Sequence, residues 1–392
     1  MSQRIHSLFR IFWIYLRLGC ISFGGPVAHL GYFKDEFVNR RQWLSDARYT
    51  ELLGLCQFVP GPSSSQLGFA IGWHKGGFRG ACLAWLGFTL PSALLMIGFA
   101  YGLFAIGDSA SAFISGLLTA AVAVVANAVL SLGKKLCPDL PRILIAAVST
   151  ALMLLAPSSW MQIIVVLFGV GAGNLLFRKS ASPSTEHAPQ MQVAPHIVYT
   201  ALFAYTALLC ISILINSSSA YESIYAVHYQ AGALVFGGGH VVLPLLENGL
   251  VPNFLSEGYF LAGYSAAQAL PGPLFTISSF LGTASGTTQP YFLCGLGALV
   301  VIFLPGLLLL VGLLPYWNKL RERKWAKAGL VGANAAVVGL LLAALINPVW
   351  PHGIHTLADF AIGALAFIAL YCFKARAWLV VLSCGIASTL IA

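Results

Sequence analysis

Residues 57–66 read QFVPGPSSSQ, and residues 268–277 read QALPGPLFTI. Both stretches place a Pro-Gly-Pro triplet inside apolar sequence, although proline removes a helix hydrogen bond and clashes with the preceding turn. A helix that ends within a bilayer leaves backbone N–H and C=O groups without partners. Such backbone is tolerated only where it is buried in protein or lines a water-filled cavity. The two triplets therefore predict helices that are broken inside the membrane.

The composition indicates an integral membrane protein. The chain has 392 residues, of which 58% are hydrophobic and 8% are charged, and its mean hydropathy is +0.84. A soluble domain carries roughly a quarter charged residues, so this chain could not cover its surface with polar groups. Its net charge of +9 comes from short basic loops, as expected for cytoplasmic loops. No polar domain carries a basic face, so we expect the lipid bilayer and no nucleic acid as a partner.

The cysteines and the classical catalytic motifs point away from metal and enzyme chemistry. The eight cysteines are scattered and include no CxxC pair, and a thiol in an apolar run usually behaves as a small hydrophobe. The sequence also contains no HExxH motif and no Ser/His/acid set at membrane depth. We therefore expect no disulfide, no metal site, no cofactor and no catalytic residue.

The chain repeats itself at offsets of 211–214 residues. LSDARYTELLGLCQFVPGP (44–62) aligns without gaps with LSEGYFLAGYSAAQALPGP (255–273), and FGGP (23–26) matches FGGG (236–239). Two further matches keep the same order, LPSALLMIG (90–98) with LPGLLLLVG (304–312) and GLLTAAVAVVANA (116–128) with GLVGANAAVVGLL (329–341). Four matches in one order predict an internal duplication.

The duplication and one polar stretch divide the chain. RKSASPSTEHAPQ (178–190) has the composition of a flexible linker. We predict an N-terminal repeat at 1–177, a cytoplasmic linker at 178–195, an extra helix at 196–215 and a C-terminal repeat at 216–392. The extra helix reverses the orientation of the second repeat. Inverted repeats with broken helices at corresponding positions are typical of secondary transporters.

Nine apolar segments have the character of spanning helices, which need about 20 residues. They are residues 80–105, 110–132, 141–156, 159–177, 196–215, 290–314, 326–346, 354–372 and 376–391. Shorter arms form hairpins at 4–38 and 46–75 in the first repeat, and lie at 221–236, 240–250, 257–270 and 273–284 in the second. An arm of about 13 residues reaches only about 20 Å, against a hydrocarbon core of about 30 Å.

The predicted fold class is an all-α integral membrane protein with two inverted-topology repeats. It has about nine spanning helices and four re-entrant hairpins with GG or PGP at their tips, which makes thirteen crossings if each hairpin counts as a span. Hairpins place every Lys and Arg except Arg17 on one side of the membrane. By the positive-inside rule that side is the cytoplasm, so the N-terminus is cytoplasmic and the C-terminus periplasmic. Arms that span remain the alternative.

The hairpin tips are the predicted substrate site. A helix that restarts after a proline points its free N–H groups and the positive end of its dipole at the membrane midplane, which suits an anion. Gln57 and Gln268, three residues before each triplet, can donate to an oxyanion or cap the broken arm, and Arg17 can bind an anion or snorkel to the interface. The predicted binding residues are Arg17, Gly24, Gly25, Pro26, Gln57, Pro60, Gly61, Pro62, Ser63, Ser64, Ser65, Gly237, Gly238, Gly239, Gln268, Pro271, Gly272 and Pro273. The competing interpretation is that the motifs are kinks that only let helices pack closely.

Three ionisable residues are candidates for coupling or gating. Glu51 lies inside an apolar arm, and an intramembrane carboxylate is a functional candidate by default; pairing with Arg48 is the competing interpretation. His29 and His240 flank the two glycine motifs without aligning with each other. They are candidates for proton coupling, against plain hydrogen bonding.

At these residues the sequence resembles the chromate ion transporter family. FGGPVAHLGYFKDEFV, RRQWLSD and QFVPGPSSSQLGFAIGWHKGG, followed by GFTLPSA, look like the N-terminal half of that family, and FGGGHVVLPLL and QALPGPLFTISSFLG look like its C-terminal half. The resemblance covers nearly the whole chain, as the long form with two fused halves. The family's PGP and FGG motifs carry onto residues 60–62, 271–273, 24–25 and 237–238. Gly239 stands where Pro26 stands in the first half, so that tip departs from the pattern.

The resemblance implies efflux of chromate across the bacterial inner membrane and chromate resistance, with sulfate as a chemical look-alike. Chromate is a tetrahedral dianion, which suits converging helix N-termini. Protons, a counter-anion or the membrane potential are the alternative driving forces. The competing functions are an anion channel on the same scaffold and a transporter of another small anion. The sequence also allows a homodimer.

Overall fold

The computed structural model describes residues 2–23, 25–106, 111–157, 159–178, 193–215, 220–235, 242–285, 291–317, 319 and 323–391. Over these residues the chain is helical and contains no strand. The all-α prediction is confirmed.

The helices follow the predicted segments closely. The first half contains α1 (Ser2–Ile21), α2 (Gly25–Lys34), α3 (Asp46–Phe58), α4 (Ser63–Ile106), α5 (Ser111–Leu136), α6 (Leu140–Leu155) and α7 (Ser159–Phe177). The second half contains α8 (Pro195–Leu214), α9 (Ala220–Leu234), α10 (Val242–Leu250), α11 (Glu257–Ala269), α12 (Ile277–Ala284), α13 (Tyr291–Leu313), α14 (Lys324–Ala344), α15 (Trp350–Gly353), α16 (Leu357–Tyr371) and α17 (Ala377–Ile391). A π-helical turn, Asp35–Arg40, extends α2, and another, Leu345–Val349, joins α14 to α15.

Several helices are long and apolar enough to cross a membrane. Within the described residues these are Ser63–Ile106, Ser111–Leu136, Pro195–Leu214, Tyr291–Tyr316 and Lys324–Gly353. Three further apolar helices, α6, α16 and α17, have only 15 or 16 residues. The protein is therefore a multi-pass helical membrane protein, and the count of nine spans stays a prediction.

The predicted helix breaks are present at every motif that the structure describes. The α3 helix ends at Phe58 and α4 begins at Ser63, while α11 ends at Ala269 and a single 3₁₀ turn, Leu274–Thr276, leads into α12. At FGGP, α1 ends at Ile21 and α2 begins at Gly25. The second glycine motif, residues 236–239, lies outside the described residues. The broken arms predicted at PGP and FGGP are therefore confirmed.

A further break divides α4 into two arms. Gly76 and Gly77 leave the helical conformation, and Gly77 has a φ of +64°. The short arm, residues 63–75, folds back against the long arm that follows it, and a Cβ at Gly72 would lie 2.6 Å from the carbonyl oxygen of Gly80. The boundary between the predicted arm that ends at residue 75 and the predicted span that begins at residue 80 falls at this break.

Ion pairs and a cap hold the turn between α2 and α3. Glu36 is buried and accepts hydrogen bonds from Arg40 and Arg41 at 2.8 and 2.6 Å. Ser45 caps α3 by accepting the N–H of Arg48, a role that serine commonly fills at a helix start. The basic residues of this turn are therefore matched by local acceptors.

The chain forms two compact units, and each takes segments from both halves. The first unit comprises Met1–Phe99, Glu186–Gly239 and Leu270–Asn318. Its core includes an aromatic cluster: Tyr15 stacks on Phe37 at 5.0 Å and meets Phe33 edge-on at 5.8 Å, and Phe33 packs on Phe88. The second unit comprises Ala100–Thr185, His240–Ala269 and Lys319–Ala392.

Small residues hold the second unit together. The α14 helix packs against α6 and α7, and a Cβ at Gly332 would lie 1.9 Å from the carbonyl oxygen of Gly169. The α5 helix packs against α16 and α17 in the same way, with Gly116 against the backbone of Cys384. Close backbone approach at small residues is how membrane helices associate without a hydrophobic driving force.

Candidate functional site

The first Pro-Gly-Pro triplet hydrogen bonds to the backbone residue that precedes the second glycine motif in the sequence. The N–H of Gly61 donates to the carbonyl oxygen of Val235 at 2.8 Å, and Val235 immediately precedes FGGG in the sequence. Gly61 has a φ of +127°, and a Cβ there would lie 2.9 Å from the Cα of Gly306. Gln66 closes the turn, because its Nε2 donates to the carbonyl oxygens of Pro60 and Gly306, both at 2.9 Å.

The second triplet makes the equivalent hydrogen bond to the backbone just before the first glycine motif. The N–H of Gly272 donates to the carbonyl oxygen of Ser22 at 3.0 Å, two residues before Gly24. Gly272 has a φ of +94°, and a Cβ there would lie 2.8 Å from the hydroxyl of Ser92. In the repeat alignment Ser22 corresponds to Val235 and Ser92 to Gly306. Each triplet thus contacts the equivalent backbone of the other half, within the first unit.

A buried histidine ties the second triplet to the start of α4. The Nε2 of His29 lies 3.1 Å from the carbonyl oxygen of Ser22, and its Nδ1 lies 3.3 Å from the hydroxyl of Ser64. A carbonyl oxygen only accepts, so Nε2 carries the proton, and in the neutral ring Nδ1 accepts from the Ser64 hydroxyl. Phe88 meets the imidazole edge-on at 5.2 Å. We call Ser22, His29, Ser64, Phe88 and Gly272 the crossing cluster.

The first turn of α4 presents hydrogen-bond donors in a buried setting. Ser64 and Ser65 are 3% and 1% exposed, and the hydroxyl of Ser65 has no partner among the described residues. The hydroxyls of Ser22 and Thr89 are also buried without a partner there. Because an unsatisfied buried polar group costs about 1–3 kcal/mol, an unpartnered hydroxyl in the first turn of a helix suits a polar ligand. The positive end of the helix dipole favours an anion.

The equivalent turn in the second half is less polar. Leu274 and Phe275 stand where Ser63 and Ser64 stand in the first half, and both are buried. The hydroxyl of Thr276, which corresponds to Ser65, donates to the carbonyl oxygen of Pro273 at 2.8 Å. Its donor is already used, so the start of α4 is the better anion site of the two.

Other predicted site residues are exposed or have partners outside the crossing cluster. Arg17 is exposed on α1, on the same helix face as the exposed Trp13 and Phe9. Gln57 is also exposed, whereas Gln268 is half-buried and hydrogen bonds to Tyr264. Gly24, Gly237, Gly238, Gly239 and His240 lie outside the described residues.

The other predictions lie at or beside the tips. Gly25 opens α2 with a φ of +71°, and Pro26 follows it in the first turn. Pro60, Pro62, Pro271 and Pro273 flank the two docked glycines, and Ser63 is half-buried. Glu51 forms a buried ion pair with Arg48 three residues earlier on α3. This pairing was the alternative to a coupling role for Glu51.

Sequence reasoning missed Gln66, Ser22, Thr89 and Ser92. Gln66 is the most informative of these, because it is fully buried and bonds two backbone carbonyls at the first triplet. The sequence feature that could have indicated its role is the position of a glutamine inside an apolar arm, shortly after a helix break. The repeat hid that signal, since Gln66 aligns with Ile277.

Comparison with known proteins identifies the family. The chromate transporter family model matches residues 9–174 and again residues 223–389. The chain belongs to the chromate transporter family. Because one family model matches both halves, the two matches agree with the predicted duplication. No solved structure matches the chain.

Several relatives of this chromate transporter family member align along most of its length. A probable chromate transport protein of Synechococcus elongatus is 29% identical over 93% of this chain and 90% of the relative. The chromate transport protein of Pseudomonas aeruginosa is 28% identical over 97% of this chain and 92% of the relative. That of Cupriavidus metallidurans is 29% identical over 87% and 82%, respectively.

Proposed function

We propose that this protein is a secondary transporter that exports chromate, or a related tetrahedral oxyanion such as sulfate, across the bacterial inner membrane. The single observation that carries the binding site is the buried start of α4, where the Ser65 hydroxyl has no partner among the described residues. Membership of the chromate transporter family and the names of the relatives support the substrate class. The basic loops support a cytoplasmic N-terminus.

Helix N-termini and hydroxyls suit a tetrahedral dianion. The first-turn N–H groups of α4 have no intrahelical acceptor, and they combine with hydroxyl donors to surround an oxyanion. Ser63, Ser64 and Ser65 supply the N–H groups, and Ser65 supplies the hydroxyl donor, since the Ser64 hydroxyl already donates to His29. The glycines of the tips let backbone approach the ion closely. Arg17, exposed on α1, acts at most by attracting anions from a distance.

Removing the Ser65 hydroxyl tests the site. Because a hydrogen bond to a charged group contributes about 1.5–3 kcal/mol, Ser65→Ala is expected to raise the KM for chromate by about ten-fold or more. Arg17→Ala is expected to change it by less than about two-fold, as for an exposed charge. The measurement is uptake of labelled chromate and sulfate into inverted membrane vesicles.

Ser149→Ala is the matched control for Ser65→Ala. Ser149 lies on α6 in the second unit, and its hydroxyl is likewise fully buried and without a partner among the described residues. We expect wild-type uptake from this variant. Equal KM values for Ser65→Ala and Ser149→Ala would exclude the start of α4 from the substrate site. If the wild-type protein takes up neither chromate nor sulfate, the proposed substrate class is wrong.

A carrier and a channel on this scaffold differ in one measurable property. A coupled carrier accumulates its ion against a gradient, whereas a channel only equilibrates it. We expect proteoliposomes that contain the purified protein to accumulate chromate above the external concentration when a proton gradient or a counter-anion gradient is imposed. Flux that stops at electrochemical equilibrium would identify a channel.

His29 offers a test of the crossing cluster itself. His29→Leu removes two buried hydrogen bonds and is expected to lower the free energy of unfolding by about 1–2 kcal/mol and to slow transport. His29→Gln retains an amide donor that can reach the carbonyl oxygen of Ser22, so it is expected to recover most of both. The measurements are thermal unfolding in detergent and uptake in vesicles. A His29→Gln variant as impaired as His29→Leu would show that the ring acts by more than hydrogen bonding.

A further inference from the structure

The second unit contains a cavity of about 200 Å³ that the substrate site does not use. Its lining comes from α10, the start of α11, the end of α6, α14 and the turn that follows α14. The polar side chains on this lining are Glu247, Asn248, Glu257 and Asn347. The volume is large enough for water molecules. A cavity lined by two carboxylates suits a proton or a cation.

Glu247 is the unexplained group in this cavity. It is 7% exposed, and its carboxyl has no hydrogen bond or ion pair among the described residues. Burial of an unpaired carboxyl favours the neutral form, so Glu247 is suited to bind a proton. Gln162 on α7 adds a second orphan, because its Nε2 donates to the carbonyl oxygen of Pro244 at 2.7 Å while its Oε1 is buried without a partner there.

A second carboxylate on the cavity lining, Glu257, is paired with a histidine. The Nε2 of His352 lies 2.8 Å from Oε2 of Glu257, and its Nδ1 lies 3.0 Å from the carbonyl oxygen of Pro348. The carbonyl oxygen only accepts, so Nδ1 carries a proton. The contact between Nε2 and Glu257 then needs one more proton, on the ring or on the carboxyl. The side chains of His352 and Glu257 are partly exposed, so this proton can exchange with solvent.

Few charged groups of the described chain lie near Glu247. The α10 helix packs against α7, α11 and α14. Among the described residues the other titratable group on the cavity lining is Glu257 from α11, whose partner is His352 from α15. The α14 helix and the turn that follows it contribute apolar residues and Asn347 to the lining. The α7 helix places the uncharged Gln162 against the backbone of Pro244 on α10. No lysine or arginine of the described chain lines this cavity.

We propose that Glu247 is a proton-binding site that couples proton movement to transport, with Glu257 and His352 as its exchange pair. The proton leaves Nε2 of His352 or the carboxyl of Glu257, crosses the cavity and protonates a carboxylate oxygen of Glu247. Only N–H and O–H bonds form and break. The coupling role rests on the proposed function. It is supported by the chain path, since α10 directly follows the FGGG motif and α11 leads directly to the second Pro-Gly-Pro triplet.

Proteoliposomes that contain wild type, Glu247→Gln or Asp139→Asn test this role. The first assay is exchange of labelled chromate at equal pH on both sides, and the second is accumulation under an imposed pH gradient. One proton per turnover concentrates the anion about ten-fold per pH unit. We expect Glu247→Gln to retain exchange within about two-fold of wild type and to lose accumulation. Accumulation by Glu247→Gln at the wild-type level, or accumulation that follows sodium or potassium instead of pH, would overturn the proposal.

Asp139→Asn is the matched control, because asparagine keeps the helix cap that Asp139 supplies to α6 while removing a carboxylate. Glu247→Asp covers the case in which Glu247→Gln does not fold, since it retains a carboxyl and is expected to retain coupling. If the wild-type protein shows no chromate exchange, the proposed function is contradicted. The proton site is then tested by a measurement that does not depend on transport. That measurement is the infrared band of a protonated carboxyl, titrated with pH in the purified protein. The band is expected in wild type and absent from Glu247→Gln, and its presence in both would exclude Glu247.

Discussion

Gly61→Ala is expected to lower the free energy of unfolding by about 2–6 kcal/mol and to abolish transport. Gly61 has a φ of +127°, and an L side chain in such a conformation costs about 1–3 kcal/mol. A Cβ would also lie 2.7 Å from Nε2 of Gln66 and 2.9 Å from the Cα of Gly306, and overpacking of this kind costs about 1–3 kcal/mol. Relief of the clash would pull Gln66 from the carbonyl oxygens of Pro60 and Gly306. The first tip would then lose its anchor.

Alanine substitutions at two other glycines are expected to change the free energy of unfolding by less. Gly272→Ala shares the positive φ, but its new Cβ would meet the hydroxyl of Ser92 at 2.8 Å, which can rotate away, so the loss is expected to be smaller. Gly98→Ala on α4 is the control, because nothing lies within 4 Å of its Cβ position, and alanine there is expected to stabilise by up to about 1 kcal/mol. The measurements are thermal unfolding in detergent and chromate uptake in proteoliposomes. Equal unfolding temperatures for Gly61→Ala and Gly98→Ala would refute a tight docking of this tip.

Local chemistry made the broken arms predictable. Ser45 caps the start of α3, and the prolines of the triplet cannot continue that helix but suit the first turn of the next one. The bounds of α3 and the start of α4 therefore follow from a few neighbouring residues. The alignment of residues 44–62 with 255–273 then transferred these bounds to α11, and both helices have 13 residues. The short-range part of the fold was therefore readable from the sequence.

The partners of the tips were not predictable in this way. The bonds from Gly61 to Val235 and from Gly272 to Ser22 join residues far apart in the chain, and no periodicity encodes such contacts. Arg17 shows the same limit for a helix face. The α1 helix is apolar on most sides, so the sequence could not show that Tyr15 and Leu18 point inward while Arg17 is exposed. Gln66 was missed because comparison of the repeats favours residues that recur.

Glu51→Ala is expected to lower the free energy of unfolding by about 3–5 kcal/mol, because it leaves Arg48 as a buried charge without its partner. Glu51 and Arg48 are 8% and 9% exposed and form an ion pair on one face of α3. The matched variant is Arg48→Met with Glu51→Leu, which removes both charges and fills a similar volume. Replacing a buried pair in this way is often neutral or stabilising, so the double variant is expected to unfold within about 1.5 kcal/mol of wild type.

Transport by the double variant separates the two roles considered for Glu51. If the ion pair only holds α3, the arm that ends at the first Pro-Gly-Pro triplet keeps its position in the double variant, and chromate uptake and its response to a pH gradient are expected to match wild type. If Glu51 takes part in coupling or gating, the double variant folds normally and yet loses that response. Since Arg48 already satisfies Glu51 in the structure, whereas Glu247 has no such partner among the described residues, we expect the loss of coupling in Glu247→Gln and its retention in the double variant.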